Sequence, residues 1–267
     1  MRKTSFFLVI ASLLVLLSEI NSFGQQDLPN YNCAANTLPI NQRICIGISE
    51  TPAYMYKDFL AWMAEEKGMN APEFKAAKPD FSKWKDLFPS LNTEKIEDKF
   101  QNTDQLALMP IVGITKSQAE RYCEWRTEMF EAQLAEMSKR ERALFPKKFK
   151  FRLPTANEWS RMRFLIQEKA MMKQLSKIAS ANRKAFKYSK SRLMVNNKFI
   201  EDIYGQKDSK LGFYNLFSNV SELTSTEGEA IGGSWFKEDE GKNFKLISNY
   251  TGPESWLGFR IIFEIIE

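Results

Sequence analysis

The chain has 267 residues, 43% of them hydrophobic and 13% aromatic, which is enough to bury one large core, and a single domain is expected. Its charges are mixed, 38 Lys and Arg against 33 Asp and Glu, and a scattered excess of +5 does not point to nucleic acid. No histidine is present, which excludes Ser-His-Asp triads, Cys-His dyads, zinc-peptidase centres and histidine-faced iron sites.

Residues 1–24 read as a cleaved signal peptide: Arg2 and Lys3 are its positive start, Phe6 to Leu17 its apolar core, and Ser22-Phe23-Gly24 a small-residue cleavage site. The apolar run is shorter than the roughly 20 residues of a membrane span, and Glu19 and Asn21 close it. The protein is therefore expected to be exported, periplasmic or extracellular, and not membrane-spanning. Export permits disulfides, and the three cysteines are Cys33, Cys45 and Cys123. Cys33 and Cys45, in a loop-like N-terminal segment (25–45) with Pro39 and Asn41 between them, are the expected pair. Cys123 belongs to an apolar helical face and reads as buried.

Arg43 to Ile48 is a strand, and Thr51-Pro52 opens a helix with proline at its first position. Met55, Phe59, Trp62 and Met63 fall on its core face. Pro72 to Leu108 is polar but studded with aromatics, and is expected as an ordered insertion draped over the surface. Pro110 to Ile114 is a strand. Thr115 with Gln118 forms a capping box for a helix reaching Met137 or Leu144.

The best-marked stretch is Phe151-Arg152-Leu153-Pro154-Thr155-Ala156-Asn157-Glu158-Trp159. Pro154 biases Leu153 toward extended backbone, Thr155 and Glu158 form a second capping box, and Trp159 anchors the first turn of the helix. Met162, Leu165 and Ile166 continue inward. Lys169 to Lys198 is basic and reads as a solvated face, with a polyanion or partner surface as the alternative. From Leu211 onward the pattern is short apolar pieces punctuated by glycine. Gly232-Gly233 permits positive φ or close backbone approach before Trp235 enters the core, and Gly258 to Phe263 is a final strand. The fold class is α+β, with short strands, a few helices and long ordered loops.

Five pieces in this order resemble the formylglycine-generating-enzyme-like, or sulfatase-modifying-factor, domain family. They are Pro110 to Ile114 with Ala119 to Trp125; Arg152-Leu153-Pro154-Thr155 with Glu158-Trp159; Gly212 to Glu222; Gly232-Gly233-Ser234-Trp235; and Gly258-Phe259-Arg260. The resemblance implies a fold related to C-type lectins, a domain over 46–267, and structural roles for Arg152, Pro154, Thr155, Glu158, Trp159, Gly232, Gly233, Trp235, Gly258 and Arg260. Glu50 to Trp62, Pro72 to Trp84 and Tyr122 to Arg126 look like the branch found in gliding-motility and type IX secretion proteins.

Active formylglycine-generating enzymes place two cysteines, which bind copper, between the motifs matched here at Gly232 to Trp235 and Gly258 to Arg260. Phe236 to Leu257 contains none, and soft thiolates are what copper(I) requires. Sister enzymes with histidine-ligated iron are excluded by the missing histidines. No copper or iron is therefore expected. A catalytically inactive binding or assembly module with a protein or cell-envelope partner is the favoured reading. An oxidoreductase modifying a protein cysteine is the alternative. Asn219-Val220-Ser221-Glu222-Leu223 lacks the family's tryptophans but keeps Asn and Glu. The resemblance there implies a structural calcium, with Glu222 as anionic ligand, the carbonyls of Phe217, Ser218 and Val220 completing part of the shell, and Asn219 fixing the loop or adding its amide oxygen. A surface Glu222 without an ion is the alternative.

Overall fold

The structure is a computed structural model and describes residues 29–165, 192–195, 198–205, 212–236 and 247–267. Asn41 bends the first apolar stretch back on itself: its side-chain oxygen accepts from the Arg43 and Ile44 amides. The result is a hairpin of β1 (Thr37–Pro39) and β2 (Ile44–Gly47). On its other edge β2 pairs with the last strand, β10 (Ile262–Ile265), which pairs in turn with β3 (Phe149–Arg152). The antiparallel order β1-β2-β10-β3 joins the N-terminal part of the chain to its end. The domain boundary expected between residues 45 and 46 thus falls inside β2, and the chain from Thr37 onward is built into the sheet.

Helix α1 (Ala53–Lys67) starts one position later than expected. Pro52 is its extended N-cap, bridged to Pro110, and having no side-chain oxygen it forms no side-chain cap; the Thr51 amide donates to the Phe259 carbonyl. Phe59 and Met63 are buried, and Met55 and Trp62 pack against the same core while partly exposed.

The stretch from 72 to 108 corrects the expectation of a surface drape. It folds as α2 (Pro72–Ala77), a 3-10 turn at Lys83–Asp86 and α3 (Thr93–Asn102), and Phe74, Phe81, Trp84, Phe88 and Phe100 all lie in the main core. Each such ring removes on the order of 150–250 Å² from water, which outweighs the polar residues between them. Trp84 is 1% exposed and donates its Nε1 hydrogen to the Val112 carbonyl at 2.9 Å. The expected strand at 110–114 is extended chain with only the bridge at Pro110. Gly113 explains the break. Its φ of +70° suits glycine, a Cβ there would sit 2.7 Å from the Asp80 carbonyl, and its own amide donates to Glu254.

The Thr115 and Gln118 capping box starts α4 (Lys116–Ala135), and a second box at Ser138 and Glu141 starts the short α5 (Lys139–Arg142). The single helix expected to reach 137 or 144 is therefore two. β3 leads through Pro154 into α6 (Ala156–Leu165). A separate hairpin pairs β4 (Arg192–Val195) with β5 (Lys198–Glu201). The second main sheet is formed by β6 (Ser221–Leu223), β7 (Glu229–Ile231), β8 (Ile247–Asn249) and β9 (Leu257–Gly258) in the order β8-β7-β6-β9. The final strand expected over 258–263 is divided: β9 runs parallel to β6, β10 belongs to the first sheet, and Phe259 to Ile261 cross between them. The architecture is α+β. The expected signal peptide, the inward position expected of Ile166, and residues 169–191 and 196–197 of the basic stretch lie outside the described residues. Among the described residues no helix is long and apolar enough to cross a membrane.

If the 72–108 stretch is core, Trp84→Ala should cost about 3–5 kcal/mol in urea unfolding. A loss well under about 1 kcal/mol would return it to the surface.

Candidate functional site

The strand-to-helix passage at 149–165 positions the first group. The Thr155 amide donates to Glu158 Oε2 at 2.9 Å, and the Glu158 amide donates to Thr155 Oγ1 at 3.2 Å. Arg152 grips the same carboxylate from β3, Nη1 to Oε2 at 2.8 Å and Nη2 to Oε1 at 2.6 Å, and reaches Glu264 of β10 with Nε at 2.7 Å. Partial burial works against the Glu158 charge, but Arg152 and the Thr155 amide hold its carboxyl below the ordinary carboxylate range. The helix start is thereby clamped to the first sheet.

One turn into α6, Trp159 is fully buried and donates its Nε1 hydrogen to Glu222 Oε2 at 2.5 Å. Glu222, on β6, is 1% exposed and meets Arg260, which is 0% exposed. The guanidinium donates from Nε to Oε2 at 2.6 Å and from Nη2 to Oε1 at 2.5 Å. Its other hydrogens go to the Gly47 carbonyl of β2 at 2.9 Å, the Tyr214 carbonyl at 3.1 Å and Met162 Sδ at 3.9 Å. Gly232, at φ +93°, lets the chain after β7 close on this group, since a Cβ would lie 3.0 Å from the Trp159 ring. Gly233 follows it, and Trp235 is buried with its indole donating to the Ser255 carbonyl at 3.1 Å. Gly258 ends β9, two residues before Arg260.

A second carboxyl stands beside the pair. Glu50 is 1% exposed, and it accepts from Asn215 Nδ2 on Oε2 and from Asn219 Nδ2 on Oε1, both at 3.0 Å. Asn215 and Asn219 both hold left-handed backbone, φ 57° and 68°, a conformation that asparagine adopts more readily than most residues. Burial pushes the Glu50 carboxyl well above its ordinary range; the Arg260 guanidinium pulls it back, and the Glu222 carboxylate adds to the rise. Neither Glu50 nor Asn215 stood out in the sequence, although a lone acid closing the apolar strand at Ile48-Ser49-Glu50 was the available signal.

Of the residues read as calcium ligands, Phe217, Ser218, Asn219, Val220 and Glu222, the two with a carboxylate or amide side chain, Glu222 and Asn219, have their oxygens turned to donors inside the domain. Both Glu222 oxygens accept from Arg260, Oε2 also from Trp159, and Asn219 Oδ1 accepts from the Glu201 amide at 2.9 Å. This donor arrangement does not fit a calcium ion at Glu222, and a surface glutamate is equally ruled out by burial. Among the described residues no group of three Asp, Glu, His or Cys side chains is placed to hold a metal.

None of the three cysteines belongs to the 229–258 segment that holds β7 to β9. Cys33 and Cys45 are joined by a disulfide that ties the approach to β1 onto β2. Cys123 is free and buried in α4, where burial pushes its thiol far above the ordinary range. Beside Trp235, a cleft of about 330 Å³ is lined by Ser234, Phe236, Ile247, Ser248, Asn249 and Trp256. Phe236 is 61% exposed, and its ring lies nearly parallel to that of Trp256, 20° apart with centroids at 6.4 Å.

The Glu50 geometry gives a pH dependence with a definite sign. The folded state holds this proton more tightly than the unfolded chain. The resulting stability is fully present below the ordinary value of 4.5 and is lost as pH rises through the folded-state value. Glu158 and Glu264 act in the opposite sense, so the comparison is between wild type and Glu50→Gln across pH. The melting temperature of wild type relative to the variant should fall as pH rises from 4.5, and a relative rise would contradict the raised Glu50 carboxyl.

Residues 53–265 match the model of the sulfatase-modifying factor enzyme 1-like (FGE-sulfatase) domain. No curated protein matches the chain. Among solved structures, one titled "Crystal Structure of CarF" is 15% identical, covering 84% of this chain and 87% of its own, with a TM-score of 0.46. Treponema denticola variable protein 1 is 14% identical, covering 90% and 94%, with a TM-score of 0.37. Since the family model spans the domain from α1 to β10, the chain belongs to the sulfatase-modifying factor enzyme 1-like domain family.

Proposed function

We propose that this chain is an exported, catalytically silent member of its family that serves as a binding or assembly module for a protein or cell-envelope partner, in gliding motility or type IX secretion. The observation that carries the reading is the placement of its three cysteines. Two are locked together at β1–β2, the third is buried in α4 with a thiol that burial keeps protonated, and Phe236 to Leu257 holds none. The copper chemistry that the family resemblance implies needs two thiolates in that interval, and neither main-chain oxygens nor the hydroxyls and amides of the cleft are soft ligands. What the region offers instead is the cleft with its exposed aromatic wall, the kind of surface that buries apolar side chains of a partner. The sequence pieces that look like the gliding-motility branch support the assignment to cell-envelope assembly.

The oxidoreductase alternative requires copper-dependent turnover. Incubation of the mature protein with copper and a cysteine peptide of sulfatase type, followed by mass spectrometry, should show no aldehyde product. In parallel, crosslinking in the exporting cell should yield a partner with wild type that is lost with Trp256→Ser. Aldehyde formed by the pure protein, or an identical capture pattern for both forms, would overturn the assignment.

A further inference from the structure

We propose that Glu222 is not a metal ligand in this protein and that the cation of its loop is built in: the guanidinium of Arg260 holds the carboxylate where the resemblance implied a calcium ion.

The argument rests on oxygen accounting. A calcium ion needs several oxygen lone pairs turned toward one point, with at least one carboxylate in the set to supply charge. Glu222 is the acid of the 217–222 stretch, and it is engaged three times, by Arg260 Nε, Arg260 Nη2 and Trp159 Nε1, each within 2.6 Å. Asn219 turns its oxygen to the Glu201 amide and its nitrogen to Glu50. Nitrogen hydrogens thus face the carboxylate where a metal would have to stand.

Electrostatics point the same way. A divalent ion bound to Glu222 would sit within a few ångströms of a fully buried guanidinium, where repulsion is poorly screened. Moving Arg260 aside would also strip the Gly47 and Tyr214 carbonyls of their donor. The guanidinium does the work usually asked of an ion in such a loop: it ties β6, β2 and the Tyr214 turn to one charge. Its planar fork matches the carboxylate with two parallel hydrogen bonds, which a spherical ion does not do.

The test uses the mature chain in excess calcium and in chelator. Melting temperature of wild type should be the same in both, or should shift by the same amount as in Glu222→Gln, while Glu222→Gln melts lower in either buffer. A calcium-dependent rise present in wild type and absent from Glu222→Gln would overturn the proposal. Should that variant fail to fold, terbium serves as the probe. An ion on Glu222 would lie beside the Trp159 indole and give saturable, calcium-displaced emission on tryptophan excitation. Wild type should give no emission that Trp159→Phe abolishes; emission lost in that variant would place a metal at Glu222 and refute the assignment.

Discussion

The buried ion pair between Arg260 and Glu222 is the constraint on which the rest of the domain depends. Taking both charges out of water is expensive, and such a pair persists only when every remaining hydrogen-bonding position is filled. Here it is filled from separate parts of the chain: Trp159 from α6, Gly47 from β2, Tyr214 from the loop before β6. The requirement to satisfy one guanidinium and one carboxylate thus fixes where the two sheets and α6 meet. It also explains the break between β9 and β10, because Arg260 reaches Glu222 only if the chain leaves one sheet at Gly258 and enters the other at Ile262.

Glu50 extends the same logic. Two acids share one cation in a dry interior, and burial raises the Glu50 carboxyl above its ordinary range while the Arg260 guanidinium pulls it back. The two asparagines in left-handed backbone use this carboxyl as a post to which the 215–219 loop is tied. Stability of the loop region is in this way linked to the protonation of a residue on the far side of the sequence.

What was legible in the sequence was local. The capping boxes at Thr115 and Thr155 are relations between residues three apart, and both form; Gly232 adopts the positive φ that its glycine allowed. The central pairings were not legible, because Glu222 and Arg260 are 38 positions apart and Glu50 and Asn219 are 169 apart. No periodicity encodes such distances. The calcium reading failed to fit for a related reason: a motif displays which oxygens are present, but not which donors from elsewhere already face them. The 72–108 stretch was misplaced because its polar average masked five rings that pack as core. The same domain frame carries a cleft walled by Phe236 and Trp256.

A double-mutant cycle on Glu222→Gln and Arg260→Met, read by denaturant unfolding of the mature protein, tests the central claim most directly. Arg260→Met leaves Glu222 as an uncompensated buried charge and should cost about 3–5 kcal/mol, while Glu222→Gln, with Glu50 still beside the guanidinium, should cost less. The double variant should cost less than the sum by at least about 1 kcal/mol, the mark of two groups that act on each other. Small and strictly additive losses would contradict a structure organised around this pair.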